Sequence, residues 1–467
     1  LCAALGAAFN RELSLPWLQR HSTIASLAMA VDQAPLRQAL SVRVAPPSPQ
    51  PLTPAQTELY VEQRLSIRSA YSIPVAFELN GEVDIAALEA VIREIVRRHP
   101  ALHTLVQEID GVPMQRFDPD VPMMLVREDL AGQADPMAVA RCRIDTLATR
   151  PFDFATEPPL RGALYCLAAG RHVLALVGHH AFVDGWSFGL VLRQLGDAYA
   201  CCRLGGVETL NDSFGAPAQA YFSHLEWQLA PSTLNALDDE AKLLRRSLHN
   251  VDWDVPFLAD TLEGIDAPKA DLPPHELQGQ LAPAVVARLQ ALARDRSIAV
   301  FSIVATAWAQ VVGRQAGRSD VVVSVAFANR DNPGLQDMVG NLVSIRPLHL
   351  DLEPSRSAAH LMHDVHGAIA QGRERAGTPL SAITAGSPRA HGLRSPWLAT
   401  LIVQVDREFH RLELKGASVF ALPWRFGGAK AGLLLEATVE PDALRLSLLA
   451  DSALFSAARA RRILAAL

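Results

Sequence analysis

The stretch His179-His180-Ala181-Phe182-Val183-Asp184-Gly185-Trp186 decides the interpretation of this chain. An apolar run at residues 173–178 leads into it, and an amphipathic segment begins near Ser187. This pattern predicts a buried strand that ends in a turn and continues into a helix. Histidine is the side chain best suited to moving protons near neutral pH, so the pair indicates a catalytic turn.

The turn places its side chains in different directions. Neighbouring side chains of a strand point to opposite sides, so only one of the two histidines can face a given cleft and the other can pin the turn. Asp184 could orient the turn by accepting hydrogen bonds or by pairing with an arginine, and Gly185 allows close approach to the backbone. A histidine held in this way can take a proton from an attacking amine or hydroxyl, or hydrogen-bond a tetrahedral intermediate.

Other kinds of site fit the sequence less well. As metal ligands, His180 and Asp184 would need a third partner, and neither an H-x-x-x-H motif nor a cysteine cluster lies nearby, so no metal site is predicted. A buried histidine of purely structural role is the plain alternative, which the pair followed by Asp-Gly disfavours. The chain has no G-x-S-x-G elbow, no P-loop and no G-x-G-x-x-G that opens a helix, which disfavours a serine nucleophile of that type and a nucleotide site.

Composition limits the class of protein. The 467 residues suggest two or three domains, and 49% of them are apolar, which is enough for large cores. The net charge of −6 indicates no nucleic-acid partner. No apolar run reaches the roughly 18 residues that a membrane helix needs, so no membrane partner is predicted. Five cysteines without C-x-x-C spacing fit a reduced, cytoplasmic protein.

The chain divides into five segments. Residues 1–34 predict a short helical piece, and residues 35–51 a semi-rigid Pro-rich linker. Two halves of similar composition follow, residues 52–228 and 276–467, joined by a polar connector at residues 229–275. Each half predicts a sheet flanked by helices, so the expected fold is a two-lobed α/β body.

Two elements are predicted in more detail. Residues 320–327 form an apolar run typical of a buried strand. Asp84 is expected to cap a helix with one buried face. That face comprises Leu88, Val91, Ile92, Ile95 and Val96.

The opening stretch resembles the third core motif, His-His-x-x-x-Asp-Gly, of the condensation domains of nonribosomal peptide synthetases, which are relatives of chloramphenicol acetyltransferase. Further motifs follow in order, so that the similarity runs from about residue 50 to residue 467. The matching segments are residues 52–60 for the first motif, 98–104 for the second, 320–330 for the strand leading to the family's Gly-Arg, and 339–344 for the fifth.

The chain also departs from the family pattern. His103 stands where the family usually has arginine, the sixth motif is reduced to residues 376–380, and Asn341 replaces a usual Phe or its neighbour. These departures concern the choice of donor or acceptor more than the chemistry. The order Trp186-Ser187 fits condensation better than epimerisation.

The first 34 residues resemble the last half of an acyl or peptidyl carrier domain. The serine that carries phosphopantetheine would then lie upstream of residue 1. The chain is therefore expected to be a piece of a longer polypeptide, a peptide synthetase or a polyketide–peptide hybrid.

The resemblance implies a V-shaped pair of acetyltransferase-like lobes with a tunnel between them. His180 would face the tunnel, as a general base or as a group that stabilises the intermediate, and His179 would pack beneath the turn. Asp184 would be a structural group paired with Arg330 or, as second choice, with Arg346.

Further residues are assigned to the tunnel by the same resemblance. Gly185 would keep the tunnel open, and Trp186 would belong either to the core or to the tunnel wall. The remaining tunnel or substrate residues would be Ser187, Gln56, Asn341 and Ser344. No metal or cofactor would be bound by the domain itself, because partner carrier domains present the phosphopantetheine.

Three functions follow from the resemblance. In the first, a carrier-bound acyl or peptidyl thioester is transferred to an amine, with donor and acceptor carrier domains as partners and acyl or aminoacyl groups as substrates. In the second, an alcohol or a free amine releases the chain as an ester or amide. In the third, the fold is a noncatalytic docking lobe that recruits a tailoring enzyme.

Overall fold

The structure is a computed structural model, and it describes part of the chain. The described residues are 9, 24–33, 49–65, 71–123, 125–205, 217–248, 273–353, 355–374, 377–384, 400–405, 411–423 and 430–467. Most of the expected carrier segment and most of the linker at residues 35–51 lie outside these ranges. The carrier resemblance therefore stays a prediction.

The helices are amphipathic or buried segments, several of which begin with a proline in the first turn. No single helix among the described residues is long and apolar enough to cross a membrane; the helices Pro283–Arg296 and Val300–Ala316 meet that test only as a pair, with a bend of 106° between them. The helices are α1 (Ile24–Gln33), α2 (Pro54–Leu65), α3 (Ile85–Arg98), α4 (Pro136–Thr149), α5 (Gly185–Gly205), α6 (Pro217–Leu229), α7 (Pro231–Leu248), α8 (Pro283–Arg296), α9 (Val300–Ala316), α10 (Pro333–Gln336), α11 (Ala358–Glu374), α12 (Leu380–Thr384) and α13 (Ala457–Ala465).

The strands alternate with these helices along the chain. They are β1 (Gln50–Pro51), β2 (Ser72–Gly81), β3 (Thr104–Ile109), β4 (Val112–Phe117), β5 (Leu125–Asp129), β6 (Leu160–Ala168), β7 (Arg171–His179), β8 (His275–Leu281), β9 (Asp320–Phe327), β10 (Ser344–Asp351), β11 (Thr400–Gln404), β12 (Ala417–Leu422), β13 (Leu433–Val439) and β14 (Leu444–Ala450).

Two large sheets organise the described residues. The N-terminal lobe holds a five-stranded sheet of order β12-β2-β7-β6-β5, and the C-terminal lobe a six-stranded sheet of order β10-β9-β11-β13-β14-β8. A small sheet, β1-β4-β3, lies beside the first. Each large sheet has its own hydrophobic core, with Phe77 and Tyr199 in one and Trp308 and Phe455 in the other. The predicted two-lobed α/β body is confirmed.

Helix α3 forms as the sequence predicts. Asp84 is the N-cap, and its Oδ1 accepts a hydrogen bond from the Ala87 N–H at 2.9 Å. This bond satisfies one of the amide groups that a helix start leaves free. The predicted buried face is confirmed, and the strand predicted at residues 320–327 is β9.

Strand β7 lies between β2 and β6 and carries the histidine pair at its end. Its residues from His172 to His179 are all buried, because one face packs on the main N-terminal core and the other on α4. A Cβ added to Gly178 would lie 2.5 Å from the ring of Phe188. Glycine here therefore lets α5 pack directly on the strand that precedes it.

The chain crosses between the lobes more often than the sequence segments suggest. Strand β12 pairs with β2, with Ala417 opposite Gly81, although its residues fall within the range 276–467 assigned to the C-terminal lobe. It completes the N-terminal sheet by covering the free edge of β2. The segment 229–275, predicted as a connector, contains helix α7, which packs against the C-terminal sheet through Leu248.

Candidate active site

The end of β7 fixes the backbone of the histidine pair. The His180 N–H donates to the Tyr71 carbonyl at 2.8 Å, which extends the β2–β7 ladder by one residue. The N–H groups of Phe182 and Val183 both donate to the His179 carbonyl at 3.0 Å. The strand therefore ends in a tight hydrogen-bonded turn directly before helix α5.

His179 lies fully buried beneath this turn. Its Nδ1 accepts the Ala181 N–H at 3.2 Å, so the ring proton is on Nε2, which donates to Oε1 of Gln63 at 2.9 Å. The rings of Phe152 and Phe154 pack edge-on against it, at 5.4 and 4.8 Å between centroids. Burial, with the neighbouring His180 as a second cause, holds the pKa of His179 well below its ordinary value. The imidazole is neutral and holds the turn.

The ring of His180 differs from that of His179 in its hydrogen bonding. Its Nδ1 is buried, and no hydrogen-bond partner for it lies among the described residues. Burial lowers the pKa of His180 to about 3, and the positive charge of Lys430 acts in the same direction. The imidazole is therefore neutral at physiological pH. The other ring nitrogen, Nε2, is the atom left for a ligand.

A partly buried lysine and a partly buried glutamate accompany the histidines. Burial lowers the pKa of Lys430 to about 8 and raises the pKa of Glu436 to about 7, while each charge favours the charged form of the other. Lys430 acts electrostatically on both His179 and His180. No sequence signal singles out Lys430, because only the tertiary fold brings the segment before β13 to the histidine turn.

Asp184 is fully buried, and four hydrogen bonds reach its carboxylate. Nη2 of Arg330 lies 3.0 Å from both carboxylate oxygens. The Ser187 N–H donates to Oδ1 at 2.7 Å, and the Leu342 N–H donates to Oδ2 at 3.0 Å. A buried charge is tolerable when it is paired and hydrogen-bonded in this way.

Arg330 continues the same network. Its Nη1 donates to the carbonyls of Leu335 and Met338 at 2.7 and 2.6 Å, and its Nη2 donates to Ser187 Oγ at 2.8 Å. Ser187 Oγ in turn donates to the Gly340 carbonyl at 2.7 Å. Asp184, Ser187, Arg330 and Gly340 are called the interlobe brace below, because they join the histidine turn to the C-terminal lobe.

Arg346, the second candidate for this pairing, does not contact Asp184. It forms a close ion pair with Glu240 on α7. The reason is its position: Arg346 lies within β10, fixed opposite Val325 of β9, whereas Arg330 lies in the loop after β9 that reaches the histidine turn.

Gly185 and Trp186 begin helix α5 beside the brace. Among the described residues, no atom lies within 4 Å of a Cβ built at Gly185, so open space adjoins this position. Nε1 of Trp186 donates to the Gln336 carbonyl at 2.8 Å, and Cζ of Arg330 lies 5.7 Å from its ring centroid. Trp186 therefore contributes to the contact between lobes.

Gln56 and Asn341 lie together in a small cleft between the lobes. Oε1 of Gln56 accepts the Thr53 N–H at 3.0 Å, and its Nε2 donates to the Tyr221 hydroxyl at 3.3 Å. Oδ1 of Asn341 accepts the Val343 N–H at 3.3 Å. These side chains shape the cleft wall, and we refer to this space as the interlobe cleft.

Two other residues of the motifs form hydrogen bonds within their own lobes. Ser344 Oγ accepts hydrogen bonds from Nδ2 of Asn329 at 2.9 Å and from the Gly377 N–H at 3.1 Å, which joins two loops of the C-terminal lobe. Nδ1 of His103 lies 2.9 Å from the Val96 carbonyl. Neither Ser344 nor His103 lines the interlobe cleft.

Gln63 is a site residue that the sequence motifs do not identify. Gln63 lies seven residues after Gln56 on α2, which places both on the same helix face. This spacing could have indicated a second glutamine directed toward the histidine turn. His224, which also lines the interlobe cleft, lies on α6 without a comparable signal. Within the described residues, no group of three or more His, Cys, Asp or Glu side chains is placed to hold a metal ion.

Buried histidines make the stability of the protein depend on pH. Burial lowers the pKa of His99 to about 4, of His180 to about 3 and of His224 to about 4. The unfolded chain binds protons near pH 6.5 while the folded chain does not, so stability is full above pH 6.5 and falls as the pH drops toward 4. Glu436, whose pKa is raised to about 7, takes up a proton in the folded chain over the same range and offsets part of this loss, so we expect a net loss of about 2 kcal/mol between pH 7.5 and 5.5. Thermal unfolding at these two pH values measures it, and equal melting temperatures would contradict it.

The chain is similar in sequence to a known protein family. A sequence profile of the Condensation domain family matches residues 48–467, so the chain belongs to the condensation-domain family. It is 30% identical over 384 residues, 79% of its length, to a probable non-canonical nonribosomal peptide synthetase, CymA, of Salinispora arenicola. It is 28% identical over 383 residues, 81% of its length, to the isonitrile lipopeptide synthase of Mycobacterium tuberculosis. The chain spans only 5% and 15% of the lengths of these relatives.

Solved structures share the fold. The X-domain from teicoplanin biosynthesis, in its complex with OxyB, superposes with a TM-score of 0.77 at 21% identity, covering 92% of this chain and 94% of that one. The starter condensation domain of rhizomide synthetase superposes with a TM-score of 0.69 at 20% identity, covering 89% and 93%. The chain is thus a condensation domain of the kind found in nonribosomal peptide synthetases.

Proposed function

We propose that this domain transfers an acyl or peptidyl group from a carrier-bound phosphopantetheine thioester to an amine and forms an amide. The observation that carries the proposal is the histidine turn. A neutral His180 stands at the end of β7, and the buried ion pair between Asp184 and Arg330 of the other lobe fixes the turn beneath it. Donor and acceptor carrier domains would present the substrates, and the domain itself would need no bound cofactor.

The reaction balances without any further reagent. The amine nitrogen attacks the thioester carbonyl carbon, and the carbonyl oxygen takes the negative charge of the tetrahedral intermediate. Collapse of the intermediate breaks the C–S bond, and the proton lost by the nitrogen goes to the departing thiolate. His180 Nε2 can accept a hydrogen bond from the attacking N–H and hold it in line with the carbonyl.

The surroundings of His180 favour a role in positioning the nucleophile over a role as a general base that takes up its proton. A general base works best when its pKa is near the working pH, and burial has lowered the pKa of His180 to about 3. A neutral imidazole of such low basicity still accepts a hydrogen bond. We therefore assign His180 mainly the role of orienting the nucleophile, with burial, assisted by the charge of Lys430, keeping the ring unprotonated.

A second candidate is release of the chain by an alcohol or a free amine. The departures at Asn341 and at residues 376–380 favour it, since both lie in motifs of the C-terminal half that differ from the family pattern. Ala376 lies outside the described residues. Thr378 and Leu380 are buried, and Glu58 of α2 accepts hydrogen bonds from the backbone and hydroxyl of Ser381 beside them.

One experiment separates these functions. Purified protein is mixed with a donor carrier loaded with an acyl group and, in separate reactions, with an amine-loaded carrier, a free amine and an alcohol. Intact-protein mass spectrometry follows the mass of each carrier. Gain of the acyl mass by the acceptor carrier is the expected result. Transfer to a free nucleophile would favour chain release, and no transfer to any acceptor would favour a docking lobe and contradict the proposal.

A further inference from the structure

The residue before the arginine of the interlobe brace has an unusual backbone conformation. Asn329 lies in the left-handed region with a φ of 53°. This conformation is unfavourable for a residue with a Cβ, although asparagine tolerates it better than most. Asn329 follows the end of β9 at Phe327 and directly precedes Arg330. A left-handed residue changes the direction of the chain, so the conformation of Asn329 determines where Arg330 lies relative to β9.

The side chain of Asn329 joins this loop to the start of β10. Its Nδ2 donates to the Leu342 carbonyl at 2.6 Å and to Ser344 Oγ at 2.9 Å. Ser344 pairs with Phe327 at the end of β9, so both hydrogen bonds close the loops that follow β9 and precede β10. Glycine would adopt the same φ without steric cost, but it has no side chain to form these bonds. Asparagine therefore contributes hydrogen bonds as well as tolerance of the backbone.

Leu342 connects Asn329 to the other side of the brace. The Leu342 N–H donates to Oδ2 of Asp184 at 3.0 Å, while the Leu342 carbonyl accepts from Asn329. The Leu342 side chain is buried in the N-terminal core together with Met338. Asn329 thus acts on two of the groups that bind Asp184: Arg330, its neighbour in sequence, and Leu342, its hydrogen-bond partner.

We propose that Asn329 is a positioning residue. It holds Arg330 and Leu342 where both can bind Asp184, and through Asp184 it aligns the turn that carries His180. This role rests on the proposed function, because that function supplies the reaction in which His180 acts. Asn329 itself contacts only groups of the brace and of β10 and takes no part in bond making.

Two variants separate the hydrogen bonds of Asn329 from its backbone conformation. Asn329→Gly accepts the left-handed φ freely and removes both hydrogen bonds, whereas Asn329→Asp keeps the size of the side chain but cannot donate. In transfer between loaded carriers, both should lower kcat about tenfold and change KM less than about twofold, because the nucleophile is less well aligned. A residue that only allows the chain to turn would be replaced by glycine without loss of activity.

Ser297→Gly is the matched control. Ser297 also has a φ of 53° and lies in the same lobe, but it closes helix α8 and belongs to no contact of the brace. Removing its side chain should leave kcat unchanged. A loss of kcat in Ser297→Gly equal to that in Asn329→Gly would overturn the role of Asn329, because any change at a left-handed residue would then have the same effect.

Amide hydrogen exchange tests the alignment of the brace without acyl transfer. In peptides that contain Leu342, exchange followed by mass spectrometry should be about fivefold faster in Asn329→Gly than in the wild type, and unchanged in Ser297→Gly. Faster exchange in a protein whose wild type transfers no acyl group would contradict the proposed function and leave the alignment of the brace by Asn329 standing. Unchanged exchange, or a wild-type kcat in Asn329→Gly, would overturn the positioning role and leave the proposed function standing.

Discussion

The variant His180→Ala is expected to lower the rate of acyl transfer by about 10²-fold, the usual cost of a misplaced nucleophile. The reason is geometric: His180 follows directly on β7, and its backbone is fixed by the Tyr71 carbonyl, so its ring holds one position relative to the turn. Without the ring, an attacking amine has no acceptor to hold its N–H. Single-turnover transfer from a loaded donor carrier, followed by intact-protein mass spectrometry, measures the loss.

The fold of this variant should survive. Nδ1 of His180 has no partner among the described residues, so truncation breaks no hydrogen bond there, and the turn is closed by backbone groups. The melting temperature should therefore stay close to that of the wild-type protein. Transfer at more than about a tenth of the wild-type rate by a folded His180→Ala protein would contradict the assignment.

His180→Gln distinguishes the two roles open to this histidine. The amide oxygen of glutamine accepts a hydrogen bond but does not store a proton at neutral pH. If His180 orients the nucleophile, His180→Gln should keep a measurable part of the activity that alanine loses. If His180 acts as a full general base, glutamine and alanine should be equally slow.

The fold could be predicted where local patterns carry the information. The spacing of apolar residues over short stretches predicts the alternation of strands and helices and the buried strand β9. The aspartate placed directly before one such helix predicts the Asp84 cap. The crossing of β12 into the N-terminal sheet could not, because its burial pattern is mixed and its partner β2 lies more than 300 residues earlier in sequence. Pairing over such a separation depends on the whole tertiary fold.

The candidate site likewise contains residues that the sequence predicts and residues that it does not. The histidine turn and an arginine partner for Asp184 are properties of motifs, and Arg330 ends one of the segments that match the family. Lys430, Glu436 and His224 lie outside any such segment, yet their charge and burial set the environment of the site. A sequence motif gives the reacting group, whereas its electrostatic surroundings come from residues that only the folded chain brings near.

Asp184→Ala should destabilise the protein by roughly 3–5 kcal/mol, the usual cost of leaving one partner of a buried ion pair uncompensated. Arg330 would keep its charge in a fully buried position, and the N–H groups of Ser187 and Leu342 would lose their acceptor. For a lobe of this size, such a change lowers the melting temperature by about 6 °C or more. Differential scanning calorimetry measures it, and an unchanged melting temperature would refute the brace.

A matched control is available on the surface between the same lobes. Arg193 of α5 and Asp337 of the C-terminal lobe form an ion pair at 3.7 Å, but their side chains are 61% and 88% exposed. Exposed pairs contribute about 0–1 kcal/mol, so Asp337→Ala should leave the melting temperature nearly unchanged. The contrast between the two aspartates tests burial as the cause of the effect.

The double variant Asp184→Leu/Arg330→Met tests what the brace does beyond stability. Replacing both charges by apolar groups removes the uncompensated guanidinium, so much of the lost melting temperature should return. The N–H groups of Ser187 and Leu342 would still lack the Asp184 carboxylate as acceptor, and the turn that carries His180 would be less well fixed. We therefore expect transfer to stay low while stability recovers. Recovery of both together would show that Asp184 and Arg330 only stabilise the fold and do not position His180.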